Sequence, residues 1–514
     1  MTTAPLLTLL SLTPLVGGLV VLFTRKEAAR KAALGFSGLA LFEALHLLLR
    51  FNSATPQMQF EEEHAWIPAL QVHYHLGIDG LGLLMVLLSA LVVPMAQLLS
   101  SRSVERPHVF HALVLFLQAG LFGTFTALNF FHWFIFWELS LIPAYFLIKL
   151  WGGPQRVAAA TQFFLYTLVG SVAMLVAFQA IYLATDSFDF QVLAKIGSSG
   201  ELAAKLGQLH LGGITGHSLV MLVFAGVLLG FAVKVPMMPF HTWLPSAYAE
   251  APSSVTMLLT GAMSKMGVYG LLRLVLPLFP AQVREWQTPL LWLAVGTIVL
   301  SACAAFAQKD LKRMLAYSSV NHLGYCLLGI FAVAGVTGTD ARWSLEKAAA
   351  LNGVLLQMFN HGITAAALFG FVALIEQRSG GLCGLDDFGG LRNAAPVLTG
   401  LVGIALFASI GLPGLSGFVG EFLIFKGAFA LVPWAAALSA LGLLMTAVFL
   451  LTLVQRVFHG PLNERWSGFA DLTWPERLMV TPALGLMFLL GIWPQLVISF
   501  INTGSVQAVA WLAR

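Results

Sequence analysis

The stretch Leu219-VMLVFAGVLLGFAVKVPMMP-Phe240 decides how this chain is to be read. It is apolar throughout except at Lys234, and prolines follow that lysine at the second and fifth positions. A bare ammonium inside an apolar span is very unfavourable unless it has a partner, a water-filled cavity or a task. Pro236 and Pro239 cannot donate backbone hydrogen bonds. In a helix they would free the carbonyls of Ala232 and Val235, on either side of the lysine. A broken helix with an ionisable group at the break is how transporters build ion sites near the bilayer midplane. The segment therefore predicts ion movement across a membrane.

Composition points the same way. The chain has 514 residues, 58% hydrophobic and only 10% charged, with a mean hydropathy of +0.86. Soluble domains carry about 25% charged residues, so the expected fold class is an all-α polytopic membrane protein. The net charge of +4 is spread over loops and does not suggest nucleic-acid binding. Cys303, Cys326 and Cys383 match no zinc, iron–sulfur or disulfide spacing. No dinucleotide fingerprint or phosphate-binding loop is present. No cofactor or metal is expected on this chain, and any redox chemistry belongs to other chains. The cluster Arg25, Lys26, Arg30 and Lys31 follows the first apolar run, so that run is expected to be a retained span and not a cleaved signal.

Runs of about twenty apolar residues mark membrane helices. Hydropathy predicts about fourteen, at 4–23, 31–50, 78–99, 109–128, 130–149, 162–184, 218–238, 253–279, 289–306, 315–336, 347–376, 396–430, 434–456 and 478–501. The run 396–430 is too long for one straight span and contains Gly411-LPGLS-Gly417, so two half-helices with an irregular link are expected there. Its counterpart is the segment around Lys234. Such a pair of interrupted helices points to a transporter built from repeats. The expected layout is three N-terminal helices over 1–108, a five-helix repeat over 109–279 broken near 234, an inverted second repeat over 289–456 broken near 411–421, and a last helix within 457–514. Basic residues gather in alternate loops, at 25–31, 102–106, 156, 309–313, 378–392 and 456–477, whereas Glu61-Glu62-Glu63 lies on the other side. The positive-inside rule then puts the basic loops in the cytoplasm and both termini outside.

Six residues carry the candidate chemistry. Glu138, in His132-WFIFWELSLIPAYFL-Ile148, stands about eleven residues before Lys149, roughly 16 Å along a helix and near the bilayer centre. Intramembrane carboxylates are rare and mark ion pathways; the plainer reading is a glutamate satisfied by a neighbouring hydroxyl. Lys265, in Gly261-AMSKMGVYGLL-Arg273, also lies inside an apolar span. Snorkelling toward Ser253 is its plainer reading, over a long reach. His322, in Tyr317-SSVNHLG-Tyr325, and His361, in Phe359-NHGITA-Ala366, read either as packing residues or as groups that take and give protons near neutral pH. Glu421 closes the glycine-rich break, either as a helix-start cap or as a functional acid. Glu376 and Lys426 are nearer span ends and are expected to face water. Asp79 reads as the N-cap of the third span. Acid, base, base, imidazole, imidazole and acid across six spans suit proton hopping through side chains and water, and a Glu138–Lys234 pair made and broken would gate it.

Phe136-WELSLIPAYFL-Ile148, Gly230-FAVKVPMMPFHTWL-Pro245, the lysine span, Tyr317-SSVNHL-Gly324 and Gly411-LPGLSGFVGE-Phe422 resemble the antiporter-like subunits of energy-converting NADH:quinone oxidoreductase (respiratory complex I), most closely their M type. The resemblance covers nearly the whole chain. It implies that Glu138, Lys234, Lys265, His322, His361 and Glu421 are proton-relay residues, with glutamate at 421 separating the M type from sister subunits that carry lysine. It implies protons taken from the cytoplasm, loaded on Lys234 and Lys265, passed through His322 and His361 to Glu421 and released outside, driven by quinone reduction elsewhere in the complex. Flavin and iron–sulfur clusters are then expected on partner subunits, L- and N-type subunits on the flanks, and a bacterial inner membrane as the location. The chain stops soon after its last predicted span, without the long lateral helix expected of the L type. The alternatives are an Mrp-type cation/proton antiporter subunit, a homologous subunit of a photosynthetic or hydrogenase-linked complex, or a passive scaffold that keeps ancestral charges.

Overall fold

The computed structural model describes residues 5–70, 72–101, 104–210, 212–335 and 341–512, which leaves Arg102 of the second basic loop outside. Among the described residues, eleven helices are long and apolar enough to cross a membrane, and Leu6–Leu22 and Pro396–Ile410 are shorter apolar helices. The chain is a helical, multi-span membrane protein. Local chemistry sets several helix starts. Asp79 accepts the Gly82 N–H at 2.9 Å and caps Gly80–Leu99, as its position suggested. Asn129 does the same for Phe130–Trp151. Pro396 and Pro433 open helices at the first-turn position, where the missing N–H costs nothing.

Ala341–Ser379 is the central pillar. Its 39 residues span about 58 Å at 1.5 Å per residue, well beyond a hydrocarbon core of about 30 Å. It packs against Gly80–Leu99, Leu311–Ala334, Ser416–Leu431 and Gln495–Leu512. At the periphery Lys26–Arg50 and Trp474–Ile492 bury little of themselves and turn Phe42, Leu49, Leu478 and Ile492 outward. That is what lipid-facing helices require, since apolar side chains lose nothing against acyl chains.

Two features depart from the sequence expectation. The predicted span 478–501 is two helices, Trp474–Ile492 and Gln495–Leu512, because Pro494 disfavours helical backbone at Trp493, which sits at φ −129° and ψ 65°. The loop after the second helix folds into an antiparallel hairpin, Gln59–Ile67 with Val72–Ile78, pairing Glu62 with Leu76 and Glu63 with His75. Its acidic run has structural partners. Glu62 accepts the backbone N–H of Leu7 at 2.7 Å at the start of Leu6–Leu22. Glu61 and Asp189 hold the two nitrogens of His75 at 3.3 and 2.6 Å.

Candidate functional site

The first break is built as the prolines dictate. Gly216–Lys234 ends on the lysine, turns follow, and Trp243–Glu250 resumes. The carbonyl freed at Ala232 does not stay free, contrary to the sequence expectation. Met237 N–H bonds the Ala232 oxygen at 2.8 Å, and the Trp243 indole bonds that of Val233 at 3.0 Å. Thr297 on a neighbouring helix accepts Met238 N–H at 3.0 Å. Lys234 is 2% exposed, with Nζ 4.9 Å from the centre of the Trp137 ring. The indole N–H of Trp137 is anchored on Ser171 Oγ at 3.0 Å, which fixes the ring under the ammonium.

Glu138 is next to Trp137 in the chain, and its charge acts on Lys234, yet the two form no ion pair within 4.0 Å. Glu138 Oε1 is buried with no hydrogen-bond partner among the described residues. The expected pair is therefore open in this conformation.

Lys265 lies on Ser253–Leu278, a helix widened by two π-turns, Leu259–Met263 and Leu271–Val275, that bracket it. Such turns cluster at functional sites because they re-aim side chains. Gly267 lets this helix meet the first break closely, since a Cβ there would lie 2.8 Å from the Val235 nitrogen. Lys265 is fully buried and does not snorkel. Its ammonium has three acceptors for its three N–H bonds: the Thr260 carbonyl, Ser264 Oγ at 3.4 Å and His361 Nδ1 at 2.9 Å.

From His361 the path continues. Its ring centre lies 5.0 Å from that of His322. His322 Nδ1 is 3.1 Å from Glu421 Oε1, and its Nε2 is 3.1 Å from Ser409 Oγ. Gln357 Nε2 bridges the pair at 3.3 Å to each. A small cavity of about 10 Å³ opens among His322, Gln357, His361, Thr364 and Glu421, enough for the centre of about one water. Among the described residues Thr364 Oγ1 and Gln357 Oε1 are buried polar atoms without a partner, and both residues line it, as a bridging water requires. A wider cavity of about 540 Å³ lies elsewhere, beside the mostly buried Asp79–Arg273 ion pair, and no member of the relay lines it.

The second break is made by glycine. Pro396–Ile410 stops at Gly411, at φ 82°, Gly414 follows at φ 92°, and Ser416–Leu431 begins two residues later. A Cβ at Gly411 would lie 2.6 Å from Glu421 Oε2. Asn360 donates to the Ser416 carbonyl at 2.6 Å and pins the second half-helix to the His361 helix. Glu421 is in the second turn of that half-helix, 6% exposed, and bonds the side chains of His322 and Gln357, so it is more than a helix-start cap.

In space the order is Lys265, His361, His322, Glu421, which reverses the two histidines relative to the expected path. Helix order along the chain does not fix helix neighbours. Gln357, Ser409, Trp137 and Thr260 were not anticipated. Gln357 had a signal, a polar residue four positions before His361 in an apolar run. Lys426 pairs with Glu346 at 2.6 Å near the surface as expected, but Glu376 does not simply face water: it holds Lys312, Ser253 and Cys383.

The sequence model described as NADH:quinone oxidoreductase/Mrp antiporter, transmembrane, matches residues 127–447, a span that contains all six ionisable residues. The chain belongs to this family. NADH-quinone oxidoreductase subunit M of Rhodobacter capsulatus is 36% identical over 475 residues, which cover 92% of this chain and 89% of the relative. F(420)H(2) dehydrogenase subunit M of Methanosarcina mazei is 34% identical over 523 residues, 99% of each chain. Among solved structures, a chain of respiratory complex I from Thermus thermophilus with bound NADH superposes with a TM-score of 0.84 at 30% identity, covering 98% of this chain and 99% of that one.

Proposed function

We propose that this chain is the M-type antiporter-like subunit in the membrane arm of an NADH:quinone oxidoreductase, and that it translocates protons. The observation that carries the reading is the contact path from Lys265 through His361 and His322 to Glu421. Protons load Lys234 and Lys265 from the cytoplasmic side, cross the two imidazoles and leave from Glu421 to the outside. Moving one charge against 100 mV takes about 2.3 kcal/mol. Removing the partner of a buried charge costs about 3–5 kcal/mol, so remaking the Glu138–Lys234 pair supplies energy of the required size.

In this reading the chain resides in a bacterial inner membrane with both termini outside, flanked by L- and N-type antiporter-like subunits. Flavin and iron–sulfur clusters belong to partner subunits. The two breaks belong to two inverted five-helix repeats, 109–279 and 289–456. The test is Glu138→Ala and Lys234→Ala in the assembled complex, with NADH-driven turnover and proton pumping measured in sealed vesicles. Each is expected to lower coupled turnover more than tenfold with normal assembly; full coupled activity in both would contradict the proposal. Copurification with flavin and iron–sulfur subunits, as against small antiporter subunits, separates this reading from an Mrp-type complex, which the family also contains.

A further inference from the structure

The elbow Ala251-Pro252 joins the half-helix Trp243–Glu250, downstream of Lys234, to the helix that carries Lys265. Ala251 closes the first helix, with its N–H on the Ala247 carbonyl, so its own oxygen is among the unsatisfied terminal carbonyls. Lys312 Nζ donates to that oxygen at 2.7 Å. Ser253 is the first residue of the second helix, and its hydroxyl donates to Glu376 Oε2 at 2.5 Å. Lys312 and Glu376 are themselves paired at 3.2 Å. The cation thus sits on a helix C-terminus and the anion on a helix N-terminus, the two placements that a helix dipole favours.

The two charges come from the second half. Lys312 is the second residue of Leu311–Ala334, ten residues before His322, and Glu376 lies fifteen residues after His361 on the central pillar. By helical rise they stand roughly 15 Å and 22 Å from those imidazoles, too far to carry their protons directly. Titratable groups beside the pair among the described residues include Cys383, whose Sγ donates to Glu376 Oε1 at 3.4 Å, and Asp310, which caps the His322 helix through Arg313 N–H. Ser253 and Lys312 are 3% and 6% exposed, so water does not replace these bonds cheaply.

We propose that Lys312 and Glu376 are a positioning clasp: they lock the elbow between the two lysine-bearing elements onto the two helices that carry the histidines. The clasp sets the register of Lys265 against His361 and joins the halves of the relay without carrying the proton itself. This rests on the relay reading above.

The test uses the assembled complex in sealed vesicles, with coupled turnover, its pH profile and the amount of assembled complex all measured. Glu376→Gln and Lys312→Met are expected to lower turnover at least about fivefold and to displace the pH profile at normal assembly. Ser253→Ala, which removes one hydroxyl, is expected to lower it about two- to threefold. Glu376→Asp and Lys312→Arg keep activity within about twofold. The reversed pair, Lys312→Glu with Glu376→Lys, does not recover activity, because it sets an anion on a terminal carbonyl and a cation on a helix N-terminus. Wild-type turnover with an unchanged pH profile in the neutral variants overturns the clasp, and so does full recovery in the reversed pair. Should the neutral variants fail to assemble, Ser253→Ala decides: an unchanged rate and profile there also overturns it. Lys265→Ala separates the two failures. If that variant loses coupled turnover while the clasp variants keep it, only the clasp is wrong; if it keeps coupled turnover, the relay reading falls first.

Discussion

The two helix breaks solve one problem in opposite ways. At Lys234 proline ends a helix and leaves the ammonium at its C-terminus, facing the Trp137 ring, with the nearby Glu138 carboxylate incompletely satisfied. At Gly411 left-handed glycines open the chain, and Glu421 sits near the start of the next half-helix, bonded to His322 and Gln357. Cation at a helix C-terminus and anion near an N-terminus both follow the helix dipole. The first break holds its charges apart, and the second holds its groups in a connected chain. A buried charge resting on an aromatic face, with a carboxylate waiting beside it, has a second partner to move to. A carboxylate already bonded on one oxygen to an imidazole and an amide is a terminus of the path.

This contrast can be broken from the strong side first. Gln357→Leu removes the amide that bridges His322 and Glu421 and leaves the volume nearly unchanged. Losing a hydrogen bond to a charged group costs about 1.5–3 kcal/mol, so coupled turnover should fall roughly tenfold or more. An unchanged rate would mean that the second break is not a connected path. Gly411→Ala should destabilise the second half by about 1–2 kcal/mol, the cost of left-handed backbone with a Cβ, besides crowding Glu421. A melting curve of the purified complex identical to wild type would show that the glycine is not needed for the break.

Trp137→Phe sharpens the first side. The smaller ring weakens the cation–π contact and loses the anchor on Ser171, worth about 0.5–1 kcal/mol. Turnover should change about two- to fivefold, and in the same direction at every substrate level. The smallest effect concerns the hairpin. Burial opposes charging His75, but the hydrogen bond and charge of Asp189, with Glu61, outweigh it and raise the histidine above its ordinary value of 6.5. A proton held more tightly in the folded state stabilises fully below that ordinary value and is lost as pH rises through the higher one. Hydrogen exchange at the Leu128 amide, which bonds the His75 carbonyl, should therefore lose protection as pH climbs in the wild type. In His75→Asn, protection that still fell with pH in the same way would remove the histidine from the explanation.

Much of the fold was legible before any coordinates. The apolar runs, the elongated 396–430 segment and the Asp79 cap follow from solvation and local backbone chemistry, which act within a few residues. The span at 478–501 was misjudged because an apolar count ignores Pro494, whose backbone effect splits it. The hairpin was missed because Glu61, Glu62 and Glu63 were read only for the charge of their loop, when Glu62 bonds the Leu7 amide 55 residues away and Glu61 meets His75 on the paired strand. Glu376 was misplaced for the same reason: its neighbours Ser253 and Lys312 are 123 and 64 residues away.

Sequence alone placed six ionisable groups inside apolar spans, because burial of charge is penalised residue by residue, and helical rise put Glu138 near mid-span. It established as well that two helices must break, since proline and glycine act on their own turn. Only the packed bundle decided which of those groups meet. That Lys265 reaches His361 before His322, that Lys234 rests on the Trp137 ring, and that Gln357 joins the chain all depend on which helix faces which. Rotation and neighbour choice are set by side-chain fit across whole helices, a property that no local window of the chain contains.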